Sequence, residues 1–161
     1  MIRRNNEELV AAWGNLVQRV FAQINNNFDK LGEISDSEEI DTKLIFGFEE
    51  AYKNIGNLIE KVELKSALQE SMRCVSQVNA YLNETEPWKI IKDDTKRAGR
   101  VLYTSLQAID SCANLLYPFM PATSENVRNA IPKTTECKWG VNEIKRGVEL
   151  GQLELLFKKF D

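Results

Sequence analysis

The sequence contains no histidine and only three cysteines in 161 residues. Without histidine, the chain has no Ser-His or Cys-His nucleophile pair and none of the imidazole ligands that most metal sites use. Cys74, Cys112 and Cys137 are odd in number and far apart, which favours reduced thiols over a disulfide framework or a zinc site. We therefore expect no catalytic residue and no metal site in this chain.

Proline, glycine and long apolar runs are also scarce. The 4 Pro and 8 Gly residues are too few for the many tight turns of a β-sandwich or barrel. No segment approaches the run of about 18 apolar residues that a membrane span needs. The first residues also lack the basic, apolar and small-residue pattern of a secretion signal. We expect a cytoplasmic protein without a membrane partner.

The charge of the chain is slightly acidic. Its 24 acidic and 21 basic residues leave a net charge of -3, so composition alone offers no broad surface for a polyanion. Gly-rich phosphate loops, Cys-x-x-Cys pairs and zinc-protease signatures do not occur in the sequence. Contact with a nucleic acid would therefore have to use a local patch of the surface.

The dominant pattern is the recurrence of apolar residues every three or four positions, the period of an amphipathic helix. Asn6 is a favourable N-cap for the first helix and Asp94 or Thr95 for the fourth, and Pro87 disfavours a helical Glu86. The pattern predicts helices over residues 6–28, 37–61, 63–82, 95–116 and 123–131. Because such helices are marginal alone, we expect an all-α fold, a bundle of about five helices.

After Pro132 the helical pattern weakens. We expect residues 132–161 to form a partly irregular tail that docks on the bundle of residues 1–131, so that the chain is one domain overall. The apolar residues available to anchor this tail are Trp139, Leu153, Leu155, Leu156 and Phe157.

Asn15 and Arg19 are four residues apart and so share one face of the first helix, away from its apolar stripe. An amide and a guanidinium at this spacing could hydrogen-bond the Watson–Crick edge of an unstacked base. The simpler interpretation is a solvated polar face or a hydrogen bond between helices.

Pro87 and Trp88 lie at a predicted helix break. A tryptophan there can present its ring to a base, and one such stack is worth about 1–3 kcal/mol. The alternative is a tryptophan that fastens the connection to the bundle core.

A basic stretch follows Trp88 directly. Between residues 89 and 100, five basic residues stand against two acidic ones in a chain that is acidic overall. Cations there could neutralise a phosphate near a stacked base, although an ordinary charged helix start has the same composition. The candidate phosphate contacts are Lys89, Lys92, Lys96 and Arg97.

Four segments, taken in order, resemble the anticodon-binding domain of methionyl-tRNA synthetases. Residues 13–20 resemble its Gly-Asn-Leu-Val-x-Arg signature, and residues 81–89 its Tyr-x-x-x-x-x-Pro-Trp segment. Residues 116–121 are similar to the proline-flanked turn of related synthetases, and residues 155–159 to the closing Leu-Phe segment. Each match is weak alone, and the ordered set is specific.

The resemblance implies a five-helix bundle that recognises the CAU anticodon of methionine tRNA. It implies that Trp88 stacks on the first anticodon base, that Asn15 and Arg19 bind the same base and its surroundings, and that Pro87 shapes the loop. The whole enzyme would join methionine to its tRNA using ATP. The catalytic signatures of the family are missing here, so the resemblance implies that this chain holds no ATP and works with a separate catalytic domain.

Two alternatives remain at this stage. Trp13 resembles a tryptophan favoured in the valyl, isoleucyl and leucyl branches, although those branches lack the Pro-Trp pair. The other alternative is a helical scaffold that binds protein. The position of Trp88 distinguishes this one, because a ring buried in the core favours a scaffold and an exposed ring beside Asn15 favours an anticodon site.

Overall fold

The computed structural model of the chain describes residues 2–28, 31–134, 139–147 and 149–153, with the backbone alone for residues 2–9. These residues form an all-α bundle, as predicted. The helices are α1 (Ile2–Asn27), α2 (Glu39–Glu60), α3 (Leu64–Thr85), the one-turn α4 (Pro87–Ile90), α5 (Thr95–Leu116) and α6 (Pro121–Ala130). Among the described residues, none of the helices combines the length and the hydropathy that a transmembrane span requires.

Helix boundaries follow the local sequence signals where those signals are strong. Helix α5 begins at Thr95, as predicted, because the carboxylate of N-cap Asp94 accepts a hydrogen bond from the backbone N–H of Arg97 at 3.1 Å. Asn6, by contrast, is not an N-cap. Helix α1 already begins at Ile2, and no proline or glycine separates that residue from Asn6.

Helix α5 lies at the centre of the bundle and packs against every other helix. Almost every side chain from Ala98 to Leu116 is buried, including Leu102, Leu106 and Ile109. Small residues on α5 allow its neighbours to approach closely from several sides. The free thiols of Cys74 and Cys112 are buried in this core, and burial raises the pKa of Cys74 to about 11. Cys137 lies outside the described residues.

The described part of the tail contacts the bundle through polar and aromatic anchors. The indole N–H of Trp139 donates to the backbone oxygen of Tyr52 at 3.1 Å, and the two rings meet edge to face at 5.0 Å. The buried ammonium of Lys133 lies 3.0 Å from the carboxylate of Asp110 on α5. Leu153 packs on the core, whereas the predicted anchors Leu155, Leu156 and Phe157 lie outside the described residues.

Candidate nucleic-acid interface

Arg19 of α1 and Trp88 of α4 are in direct contact. The Cζ atom of Arg19 lies 4.6 Å from the centroid of the Trp88 ring, within the range of a cation–π interaction. Trp88 is half-buried and packs partly against the hydrophobic core. The ring is therefore neither enclosed in the core nor free in solvent, and its outer partner is a polar side chain.

Asn83, near the end of α3, completes this contact. Its side-chain oxygen accepts a hydrogen bond from Nη2 of Arg19 at 3.5 Å, which is at the long limit for such a bond. Asn83 is not among the site residues predicted from the sequence, although it lies in the segment of residues 81–89. An exposed asparagine on a helix carries no signal by itself, and only the approach of α1 to α3 identifies it.

Asn15 lies one turn before Arg19 on α1, about 6 Å along the helix axis, and its side chain is exposed. At this spacing Asn15 and Arg19 share one face of α1. The contact that the structure records is the one between Arg19 and Trp88.

The backbone around Pro87 explains how Trp88 is presented. Glu86 ends α3 in the left-handed region, with φ 48 and ψ 61, and its N–H still donates to the carbonyl of Leu82. Pro87 then occupies the first position of α4, where its missing N–H costs nothing and its fixed φ suits a helix. The left-handed Glu86 thus separates α3 from α4, and the Trp88 ring on α4 contacts Arg19 of α1.

Three of the four predicted phosphate contacts are exposed lysines in the segment that follows Trp88. The ammonium of Lys89 is paired with Glu86 at 2.7 Å, and that of Lys96 with Glu33 at 3.4 Å. Exposed pairs of this kind contribute little to stability, so they can be exchanged for a phosphate at small cost. Lys92 is exposed in the turn after α4.

Arg97 differs from the other three predicted cations. Its guanidinium donates two hydrogen bonds to the carboxylate of Asp41, at 2.6 and 3.1 Å, and its side chain is only 11% exposed. Removing this buried partner from Asp41 would leave an uncompensated charge. We therefore do not retain Arg97 among the candidate phosphate contacts.

The sequence profile of the family described as the anticodon binding domain of methionyl tRNA ligase matches residues 31–161. The methionine–tRNA ligase of Bifidobacterium adolescentis is 44% identical over 136 residues, which are 83% of this chain and 22% of that protein. The enzyme of Chloroflexus aurantiacus is 39% identical over 126 residues, 78% of this chain and 21% of that protein. The chain thus spans about a fifth of the length of these curated relatives.

Solved structures with the same fold include the free-state methionyl-tRNA synthetase of Mycobacterium tuberculosis. It matches with a TM-score of 0.84 and 19% identity, over 98% of this chain and 34% of that chain. The complex of that enzyme with methionyl-adenylate matches with a TM-score of 0.81 and 20% identity, over 92% and 31%. At these identities the likeness establishes the fold.

Trp13, which resembles a tryptophan of the valyl, isoleucyl and leucyl branches, is fully buried and packs in the core.

Proposed function

This chain belongs to the family of methionyl-tRNA ligase anticodon-binding domains, and we propose that it recognises the CAU anticodon of methionine tRNA. The observation that supports this proposal is the contact of Arg19 with Trp88, beside the exposed amide of Asn15. It joins a stacking surface to hydrogen-bonding groups at one edge of the bundle, the combination that a single unpaired base requires.

In this proposal the first anticodon base stacks on Trp88. The outer partner of the ring is the long side chain of Arg19, so a base can take its place without opening the apolar core. The displaced guanidinium then remains beside the base and can donate to its edge. A stack of this kind contributes about 1–3 kcal/mol and depends little on which base is present.

Base identity comes from the polar pair. The edge of cytosine carries one amino donor and two acceptors, whereas uracil presents an imino donor between two acceptors. Arg19 supplies only donors, and the amide of Asn15 can both donate and accept. If the Asn15 oxygen accepts from the amino group of cytosine and Arg19 donates to N3 and O2, every group is paired. In the same arrangement uracil turns its N3–H donor toward a donor of Arg19 and leaves both unpaired, which is costly. Pro87 contributes by setting the position of the ring.

The lysines beside Trp88 complete the proposed interface. Lys89, Lys92 and Lys96 are exposed along the chain that follows the ring. A phosphate next to the stacked base would be within the reach of such side chains, and each contact would make the binding more sensitive to salt. Because the net charge of the chain is -3, the electrostatic field of the whole chain opposes this local attraction of a phosphate.

We further propose that this chain acts as part of a longer, cytoplasmic enzyme that ligates methionine to tRNA. The proposal extends the names of the relatives, of which the chain spans about a fifth. The reaction with methionine and ATP would take place in a catalytic domain of the same enzyme, and this chain would supply recognition without holding ATP itself. The absence of histidine in the sequence agrees with a binding role.

The experiment compares two RNAs. Methionine tRNA and a variant whose first anticodon base is changed from cytosine to uridine are titrated against the chain at low salt. We expect the cytosine form to bind more tightly, by about tenfold if one buried hydrogen bond is lost with uridine. Equal affinities for the two RNAs would contradict the proposed function.

A further inference from the structure

Residues 86–94 connect α3 to α5 and carry Trp88. One residue before this connection and one residue after it contact the same carboxylate. Tyr81 lies near the end of α3, Arg97 lies in the first turn of α5, and both contact Asp41 at the start of α2. We refer to Asp41, Tyr81 and Arg97 as the Asp41 clasp.

Every oxygen of the Asp41 carboxylate is engaged. Arg97 donates from Nη1 to Oδ2 at 2.6 Å and from Nη2 to Oδ1 at 3.1 Å, and the Tyr81 hydroxyl also donates to Oδ1. The backbone N–H of Glu38 donates to Oδ2 at 2.9 Å and closes the N-terminal cap of α2. The Asp41 residue is only 1% exposed, so these bonds form away from solvent, where a bidentate pair is both strong and directional.

The location of the clasp distinguishes it from a general support of the core. Tyr81 precedes Asn83, the partner of Arg19, by two residues, and Arg97 follows the helix cap Asp94 by three. The clasp therefore fixes the distance between the two ends of the connection. A connection with fixed ends loses less conformational entropy when a ligand orders it, so the ligand binds more tightly.

We propose that the Asp41 clasp holds the Trp88 ring in its position against Arg19 and thereby prepares it for a base. The role of the clasp in binding a base rests on the function proposed above, whereas its role in fixing the position of the Trp88 ring does not. Asp41, Tyr81 and Arg97 are positioning residues, since they act through the connection and do not touch the RNA. The clasp also gives Arg97 a role that the basic composition of its segment does not reveal.

The first test needs no RNA. The side-chain protons of Arg19 lie close to the Trp88 ring, so the ring current shifts their NMR signals and cross-relaxation links them to the indole. We expect Asp41→Asn to reduce both signatures, and Tyr81→Phe to reduce them to a smaller degree because it removes only one donor. Tyr81→Phe keeps the test decisive if Asp41→Asn does not fold.

The matched control is Asp110→Asn. Asp110 is also a buried carboxylate paired with a cation, Lys133 at 3.0 Å, but it lies about 20 Å further along α5 from Arg97. Its substitution should loosen the fold and leave the Arg19 and Trp88 signals unchanged. If both clasp variants keep the wild-type signals, or if Asp110→Asn reduces them as much, the proposal is overturned.

The second test is a double-mutant cycle on binding of methionine tRNA. We expect Asp41→Asn to weaken binding by about three- to tenfold in the presence of Trp88, and by less than about twofold in the Trp88→Ala background. An equal loss in both backgrounds would overturn the positioning role in recognition. If the wild-type chain binds the cytosine and uridine forms equally, the proposed function fails, and the NMR result still decides whether the clasp holds the ring.

Discussion

The guanidinium of Arg19 lies 4.6 Å from the centroid of the Trp88 ring, and this contact joins α1 to the short helix α4. Neither residue alone defines a site, because a half-buried arginine and a half-buried tryptophan are ordinary features of a helical bundle. Their contact, one helical turn from Asn15, joins the polar face of α1 to the tryptophan of α4.

Replacing Trp88 with alanine should weaken the binding of methionine tRNA by about 1–3 kcal/mol, because the stacking surface is lost. Trp88→Phe should recover part of this loss. Filter binding or fluorescence anisotropy at fixed salt gives the affinities. The control is Trp139→Ala, which removes an indole packed on Tyr52 and should leave the affinity unchanged. Equal losses for the two alanine variants would contradict a specific role of Trp88.

Replacing Arg19 with lysine should reduce the preference for cytosine over uridine at the first anticodon position. Lysine keeps the charge but lacks the planar set of donors that can meet a base edge, so affinity should fall less than discrimination. The measurement is the ratio of dissociation constants for the two RNAs. Arg73→Lys is the control, since Arg73 is an exposed cation on α3 paired with Glu70. A preference unchanged by Arg19→Lys would remove Arg19 from base recognition.

Replacing Val62 with glycine should stabilise the fold by about 1 kcal/mol. Val62 has φ 60, in the left-handed region that a β-branched residue rarely adopts, and it is 74% exposed, so its side chain contributes little packing. Relief of the strain raises the free energy of unfolding, and the greater conformational freedom of glycine in the unfolded chain offsets part of that gain. Chemical denaturation measures the change. Val62→Ala is the control and should give no comparable gain, since alanine keeps the strain.

The Asp41 clasp should make stability depend on acid pH. Burial by itself would raise the pKa of Asp41, but the hydrogen bonds from Arg97, Tyr81 and the Glu38 backbone outweigh it and lower the pKa below 3.8. The contribution of the carboxylate is therefore complete above the unfolded-state value and is lost as pH falls through the lower folded-state value.

The corresponding measurement compares the free energy of unfolding of wild type and Asp41→Asn across acid pH. At neutral pH we expect the variant to be less stable by about 3 kcal/mol, since a buried pair has lost one charge. Because the variant cannot titrate at this position, the difference should shrink as pH falls below 3.8. A constant difference over this range would mean that the Asp41 charge does not stabilise the fold.

Much of the fold could be predicted from local signals. The boundaries of α5 were predicted correctly because Asp94 is a strong cap and the apolar period continues without interruption to Leu116. Prediction was poorer at Asn6, since an asparagine that can cap a helix can also lie inside one when nothing before it breaks the helix. Helix α3 continues past the predicted end at Leu82 to Thr85, and the left-handed Glu86 then terminates it.

The sequence by itself determined the all-α class, the helical period and the presence of a Pro-Trp break, because these depend on interactions between residues close along the chain. Tertiary structure decided which of the selected side chains meet. It brought Arg19 onto Trp88, added Asn83 to them, and withdrew Arg97 into the buried pair with Asp41. Contacts between distant helices depend on how the apolar stripes pack, and no local pattern specifies which polar residues that packing places together.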